Sequence, residues 1–235
     1  MVRELIRMKE YVEEIKRKIE GITAGYDDKK QYFVDKLAEG IAKICTAYHP
    51  NEVIVRFSDF KTNEYRNLIG GELYEPHEKN PMIGWRGASR YYHPKFRKAF
   101  ELEVLAMEEE RGHKIYVMCE IPSNIIQAHS FLEIFDGMSI GSNDLTQLVL
   151  GIDRDNEILQ GLADERNESV KKMIAQVIKL CREKNKYIGI CRQALSEFPE
   201  IVEFLVKEGI ESISVNSDVV IKTIEMVKKF EDKLR

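Results

Sequence analysis

Two carboxylates stand where apolar runs of this chain stop. Ile115-Tyr116-Val117-Met118-Cys119 leads into Glu120 and then Ile121-Pro122-Ser123-Asn124, and the run through Met138, Ser139 and Ile140 closes on Gly141-Ser142-Asn143-Asp144-Leu145-Thr146-Gln147. Acidic groups delivered at the ends of two strand-like runs suit one hard cation, because Mg²⁺ takes one or two protein carboxylates and leaves its other positions to water and substrate. The chemistry this implies is metal-assisted and acts on an oxygen-rich small molecule. Other runs end in the same manner: Val53-Ile54-Val55 at Arg56 with Asp59, Met82-Ile83-Gly84-Trp85 at Arg86, Tyr187-Ile188-Gly189-Ile190 at Cys191 with Arg192, and Ser212-Ile213-Ser214-Val215 at Asn216 with Asp218.

Bringing such endings together takes a parallel sheet. Short runs rich in Val and Ile, separated by longer segments of helical periodicity, predict alternating strands and helices and hence parallel pairing. In a parallel barrel all the endings gather at the C-terminal rim, where barrel enzymes place their active sites. Up to about Ala47 the periodicity is helical (Leu5, Met8, Val12, Ile15, Ile19, then Phe33, Leu37, Ile41, Ile44), with a break near Gly21 to Tyr26. Val219 to Arg235 predicts a closing helix, and Phe96 to Met107 another. The stretch Lys61 to Pro81 is too long and polar for an ordinary connection, which leaves a functional loop over the rim or a decorative surface insertion.

The chain has 235 residues, 43% hydrophobic and 32% charged, enough to bury one substantial core, and the expectation is one soluble domain over 1–235, with N-terminal helices over 1–50 and βα units over 51–235. Its 36 basic and 40 acidic residues leave a formal charge of −4 with no basic block, so there is no electrostatic case for nucleic acid or an anionic membrane. Cys45, Cys119, Cys181 and Cys191 show no CxxC spacing, which fits reduced thiols and a cytoplasmic location better than a disulfide frame or zinc site. No apolar run approaches the ~18 residues needed to cross a bilayer.

Taken in order, Arg56-Phe57-Ser58-Asp59-Phe60-Lys61-Thr62-Asn63-Glu64-Tyr65, Asn80-Pro81-Met82-Ile83-Gly84-Trp85-Arg86-Gly87-Ala88-Ser89-Arg90-Tyr91, Cys119-Glu120-Ile121-Pro122-Ser123-Asn124, Ser139 to Gln147 and Gly189-Ile190-Cys191 closely resemble the phosphoenolpyruvate-binding barrel of the PEP-utilising enzymes. The likeness is to the phosphoenolpyruvate synthases, with pyruvate phosphate dikinase and enzyme I of the sugar phosphotransferase system as relatives. It runs from about Gly21 to the C-terminus. The resemblance implies an α/β, TIM-barrel-like fold and a site that binds phosphoenolpyruvate or pyruvate with Mg²⁺ held by Glu120 and Asp144. It implies that Arg56 and Arg86 engage the phosphoryl group, where a planar fork of donors fits better than a point charge. It further implies that Cys191 trades a proton with the C3 carbon, that Gly141, Ser142 and Asn143 line the pocket, and that Arg154 is another active-site arginine. Read from its neighbours alone, Arg154 equally suits a surface pair with Asp153 or Asp155. None of the histidines at 49, 77, 93, 113 and 129 has the context of the family's phosphorylated histidine.

The sequence also departs from the family. It holds no Thr-Cys-His-Ala motif and no length for a nucleotide-binding domain, so the complete reaction is expected to need a separate phosphohistidine carrier. The family's first strand should precede Met1 and the fourth should lie between Met107 and Lys114, which leaves about six of eight βα units in an incomplete or open barrel. Lost units expose strand edges that must be bent away, covered or paired, so the expectation is either an open, rearranged sheet or a homo-oligomer that seals itself. Leu105 stands where relatives carry a phosphate-binding arginine, and Arg192 follows Cys191 where Gly is usual, either crowding the pocket or replacing the missing charge. The competing expectation is a non-catalytic relic that serves as a binding or assembly module.

Overall fold

Four of the six apolar runs become strands: β1 (Tyr116–Cys119), β2 (Gly137–Gly141), β3 (Tyr187–Cys191) and β4 (Ser212–Ser214). They pair in parallel in the order β1-β2-β3-β4. The computed structural model describes residues 2–107, 113–153, 156–191 and 198–234. It divides into two compact units, Met1–Gly112 and His113–Arg235, and the whole sheet lies in the second.

Where about six βα units are expected, the sheet among the described residues has four parallel strands. Val53-Ile54-Val55 runs as irregular backbone and Pro81–Ile83 forms one turn of 3₁₀ helix. The reason is that β-branched residues favour a strand only where a neighbouring backbone and a half-buried surface receive them. No described segment pairs with Val53 to Val55, and Ile54 is 62% exposed.

The first unit is helical. α1 (Val2–Ile22) and α2 (Lys29–Tyr48) flank the expected break, and Asp28 caps α2 by accepting from the Lys30 backbone N–H at 2.8 Å. Short helices α3 (Thr62–Arg66) and α4 (Ala88–Tyr91) precede α5 (Arg97–Met107), which packs against α2.

In the second unit α6 (Pro122–Ile126) and α7 (Ala128–Phe131) follow β1, α8 (Ser142–Leu150) and α9 (Glu168–Glu183) separate β2 from β3, α10 (Pro199–Glu208) precedes β4, and α11 (Val220–Leu234) closes the chain. α9 starts at Asn167, whose side chain accepts from the Ser169 N–H, and buries Val170, Ile174, Val177, Ile178 and Cys181 along one stripe against β2 and β3. Each such side chain contributes roughly 1.5–3 kcal/mol when fully buried. Because successive strand residues face opposite ways, Cys119, Met138, Ile140, Ile188 and Ile190 enter this core. The opposite face carries Tyr116, Met118, Ser139, Gly141, Tyr187, Gly189 and Cys191, with the Tyr116 and Tyr187 rings stacked 4.2 Å apart. Among the described residues no helix is long and apolar enough to cross a membrane.

Candidate functional site

The parallel register decides which strand endings are neighbours. Cys119 stands beside Ile140, so the next residue, Glu120, comes beside Gly141, and Gly141 is paired with Cys191. Adjacent strands lie about 4.8 Å apart, so Glu120, Gly141 and Cys191 form one short row at the C-terminal edge of the sheet. Glu120 leans over Gly141: a Cβ on that glycine would lie 2.6 Å from Glu120 Oε2 and 2.8 Å from its Cβ. Only a residue without a side chain admits the carboxylate there. Asn124 sets the turn after β1, its Oδ1 accepting from the backbone N–H groups of Glu120 at 3.3 Å and Ile121 at 3.2 Å.

Gly141 is also the residue from which α8 starts, so Ser142, Asn143 and Asp144 make up its first turn. An acidic residue is favoured there by the positive end of the helix dipole. Asp144 Oδ1 is shielded from solvent, and Ser142, Thr146 and Gln147 are buried on the same helix. The Ser142 hydroxyl lies 3.1 Å from both Glu165 Oε1 and the Cys191 carbonyl. The half-buried Cys191 thiol is 3.5 Å from Ser139 Oγ. The second unit therefore brings together Glu120, Gly141, Ser142, Asn143, Asp144 and Cys191.

Arg56 and Arg86 belong to the first unit. Arg86 donates from Nη2 to Asp59 Oδ2 at 2.7 Å, from Nε to Asp59 Oδ1 at 3.5 Å and from Nη1 to the Met82 carbonyl at 3.4 Å. Asp59 also accepts from the Gly87 N–H at 3.0 Å. Ser58, between Arg56 and Asp59, is held from two sides, its N–H donating to Glu103 and its carbonyl accepting from Tyr91 Oη. The expected loop from Lys61 to Pro81 is anchored by ions: Arg90, fully buried, makes a two-pronged pair with Glu75 at 2.7 Å per bond, and its guanidinium lies 4.1 Å from the Trp85 ring and 4.3 Å from that of Tyr65. Glu78 accepts from Thr62 Oγ1 and the Trp85 N–H. Arg154 and Arg192 lie outside the described residues.

The family model described as "PEP-utilising enzyme, PEP-binding domain" matches residues 26–109 and 95–232. The chain belongs to this family. It is 51% identical to phosphoenolpyruvate synthase of Aquifex aeolicus over 254 residues, covering 92% of this chain and 30% of that protein. The corresponding enzyme of Helicobacter pylori is 48% identical over 258 residues, covering 94% of this chain and 32% of the relative, and that of Escherichia coli 40% over 259, covering 94% and 33%. The chain thus spans about a third of the length of these curated relatives. The matched stretches of 254 to 259 residues are longer than the whole 235-residue chain, so the relatives carry internal segments that it lacks.

In a PEP-binding family the row at the strand ends has a plain chemical sense. A carboxylate over a glycine that leaves room for it, with a second carboxylate in the helical turn that follows, is the kind of donor set that suits a hard divalent cation with open positions. Among the described residues no group of three or more His, Cys, Asp or Glu side chains is placed to hold a metal, so any such ion would complete its shell with water or ligand oxygens. Three residues of the arrangement escaped the sequence reading as parts of a site: Glu165, Ser139 and Asp59. Asp59 and Ser139 lay within the motifs and were visible as polar residues at run ends. Glu165 gave no signal, because its partner Ser142 is 23 positions away.

Proposed function

We propose that this chain binds phosphoenolpyruvate or pyruvate with Mg²⁺ and carries the enolate half of a phosphoryl transfer whose phosphohistidine is supplied by a separate carrier. The single observation that supports this most is the strand-end row, in which Glu120 overlies Gly141 and Cys191 pairs with Gly141, with Asp144 in the helical turn that follows. Glu120 and Asp144 are the groups proposed to hold the cation. When bound, Mg²⁺ would lower the cost of negative charge on substrate oxygens in a dry site. Ser142 and Asn143, with Gly141, are proposed to line the pocket, and Cys191 to give a proton to C3 of the enolate and take it back from the methyl group of pyruvate. Arg56 and Arg86, and Arg154 by its place in the family pattern, are the groups proposed for the phosphoryl and carboxylate oxygens. Asp59 would keep the Arg86 fork in one orientation. We also propose that the strands are an arc of the family's barrel and that the missing internal segment lies between Met107 and Lys114.

The test is Mg²⁺-dependent exchange of the pyruvate methyl protons with solvent. Exchange is expected in the wild-type chain and, because a positioned acid–base group contributes about 10²-fold or more, a loss of about that size in Cys191→Ala. No exchange in either, together with no calorimetric binding of oxalate, which presents two adjacent coplanar oxygens as the enolate does, removes this reading.

A second reading, a non-catalytic relic acting as an assembly module, draws on the internal segments the chain lacks and on Leu105, which is half exposed on α5. It predicts a stable homo-oligomer. A rise of several degrees in melting temperature with Mg²⁺ and oxalate, as binding to the folded state requires, counts against it.

A further inference from the structure

We infer that Glu165 is a positioning residue for the strand-end site: by accepting from Ser142 Oγ, its buried carboxylate fixes the first turn of α8, and so sets where Asn143 and Asp144 stand relative to the end of β3 at Cys191, whose carbonyl packs against the same hydroxyl oxygen. Three chain segments meet at one hydroxyl. Ser142 is completely buried, and its Oγ lies 3.1 Å from Glu165 Oε1 and 3.1 Å from the Cys191 carbonyl. A hydroxyl has one proton to give, and a carboxylate is a stronger acceptor than a neutral carbonyl. Glu165 therefore takes that proton and decides the rotamer of Ser142, and the Cys191 carbonyl packs 3.1 Å from the hydroxyl oxygen without receiving its hydrogen.

The direction of the constraint follows from what holds Glu165. Its neighbour Arg166 pairs with Asp164 through Nε at 2.9 Å and Nη2 at 2.7 Å, reaches Glu200 in the first turn of α10 at 3.3 Å, and lies over the Phe198 ring at 4.3 Å. Two residues on, Asn167 caps α9. With the backbone just after Glu165 fixed where Asn167 caps α9, Ser142 follows Glu165 rather than the reverse. Burying a carboxylate is costly unless its hydrogen bonds compensate, and Glu165 is only 9% exposed. Its placement against the turn that carries Asn143 and Asp144 fits a role in holding that turn.

This inference rests on the function proposed above for its kinetic arm only. In the full chain with Mg²⁺, Glu165→Ala is expected to lower kcat for pyruvate methyl exchange about 10-fold, the scale of supporting-shell substitutions, with KM within about twofold. Glu165→Gln, which keeps an acceptor oxygen at the same reach, is expected to stay within about twofold of wild type. Alkylation by iodoacetamide, read at Cys191 by mass spectrometry with Cys45 as reference, needs no substrate and is expected to run severalfold faster in Glu165→Ala and at the wild-type rate in Glu165→Gln. Unchanged kcat and unchanged Cys191 alkylation in Glu165→Ala overturn the inference, as does a Gln variant as impaired as Ala. If the wild-type chain exchanges no protons, the proposed function falls and the alkylation arm alone decides. Should Glu165→Ala not fold, Ser142→Ala removes only the hydroxyl, and an unchanged Cys191 alkylation rate there overturns the inference equally.

Discussion

Residues Met1–Gly112 and His113–Arg235 hold their polar groups in place by different means. In the first unit the work falls to charges: Asp59 on Arg86, Glu75 on the buried Arg90, and Glu78 on Thr62 and the Trp85 N–H. Beside them stand packed rings (Phe57, Tyr91 and Phe100; Phe60, Tyr65 and Phe96), while Phe33, Ile44, Ile54, Leu68, Ile69 and Leu105 are about half exposed. In the second unit backbone pairing sets the row Glu120, Gly141 and Cys191, and one continuous core of Cys119, Met138, Ile140, Ile188, Ile190 and the α9 stripe holds the strands flat against the helices. The difference teaches where each unit is fragile. A buried ion pair is poor stabilisation compared with packed hydrocarbon, yet breaking one side of it is severe because the remaining charge has no water to turn to. A strand register survives the loss of most single side chains, since its bonds are made by the backbone.

The comparison breaks most sharply at Arg90. Arg90→Met leaves Glu75 buried without its partner and is expected to cost the first unit about 3–5 kcal/mol in denaturant unfolding. Arg90→Met combined with Glu75→Leu is expected to lose much less than the single variant. A single variant within about 1 kcal/mol of wild type would show that the pair does not organise the segment between α3 and α4. At the strand ends the sensitive position is Gly141. A Cβ there meets Glu120 Oε2 at 2.6 Å and Glu120 Cβ at 2.8 Å, so Gly141→Ala displaces the carboxylate and is expected to cost about 1–3 kcal/mol, the scale of overpacking. Calorimetry with Mg²⁺ and oxalate would show about tenfold weaker binding, and unchanged affinity would remove Glu120 from the cation site.

The smallest effect separates the units by pH. Burial pushes the thiols of Cys119 and Cys181 from 9.0 up to about 12, and burial pushes the Tyr65 hydroxyl from 10.0 up to about 12. In each case the folded state keeps a proton that the unfolded chain has released. Stability is therefore whole below the unfolded value and falls as pH rises toward the folded one. The second unit is expected to weaken from about pH 9 and the first from about pH 10. Alkylation of Cys119 reports the second unit, and fluorescence of Trp85, the chain's single tryptophan, reports the first. A Trp85 transition that precedes Cys119 labelling would reverse the order.

What the sequence determined by itself was local. Helical spacing broken at Gly21 to Tyr26 placed α1 and α2, and four Val- and Ile-rich runs, with the polar residues that stop them, placed β1 to β4 and the strand-end residues to within a position or two. The motifs carried the family, because they preserve residue types in a fixed order. Whether a run becomes a strand was decided by tertiary structure: Val53-Ile54-Val55 has the same composition as the strands, but a strand needs a neighbour's backbone for its hydrogen bonds, and none pairs with it among the described residues. The same holds for Glu165, whose role exists only once folding carries Ser142 and the end of β3 to within 3.1 Å of one another. It holds too for the order of the four parallel strands among the described residues, since which strands are neighbours is a property of pairing and not of any one segment.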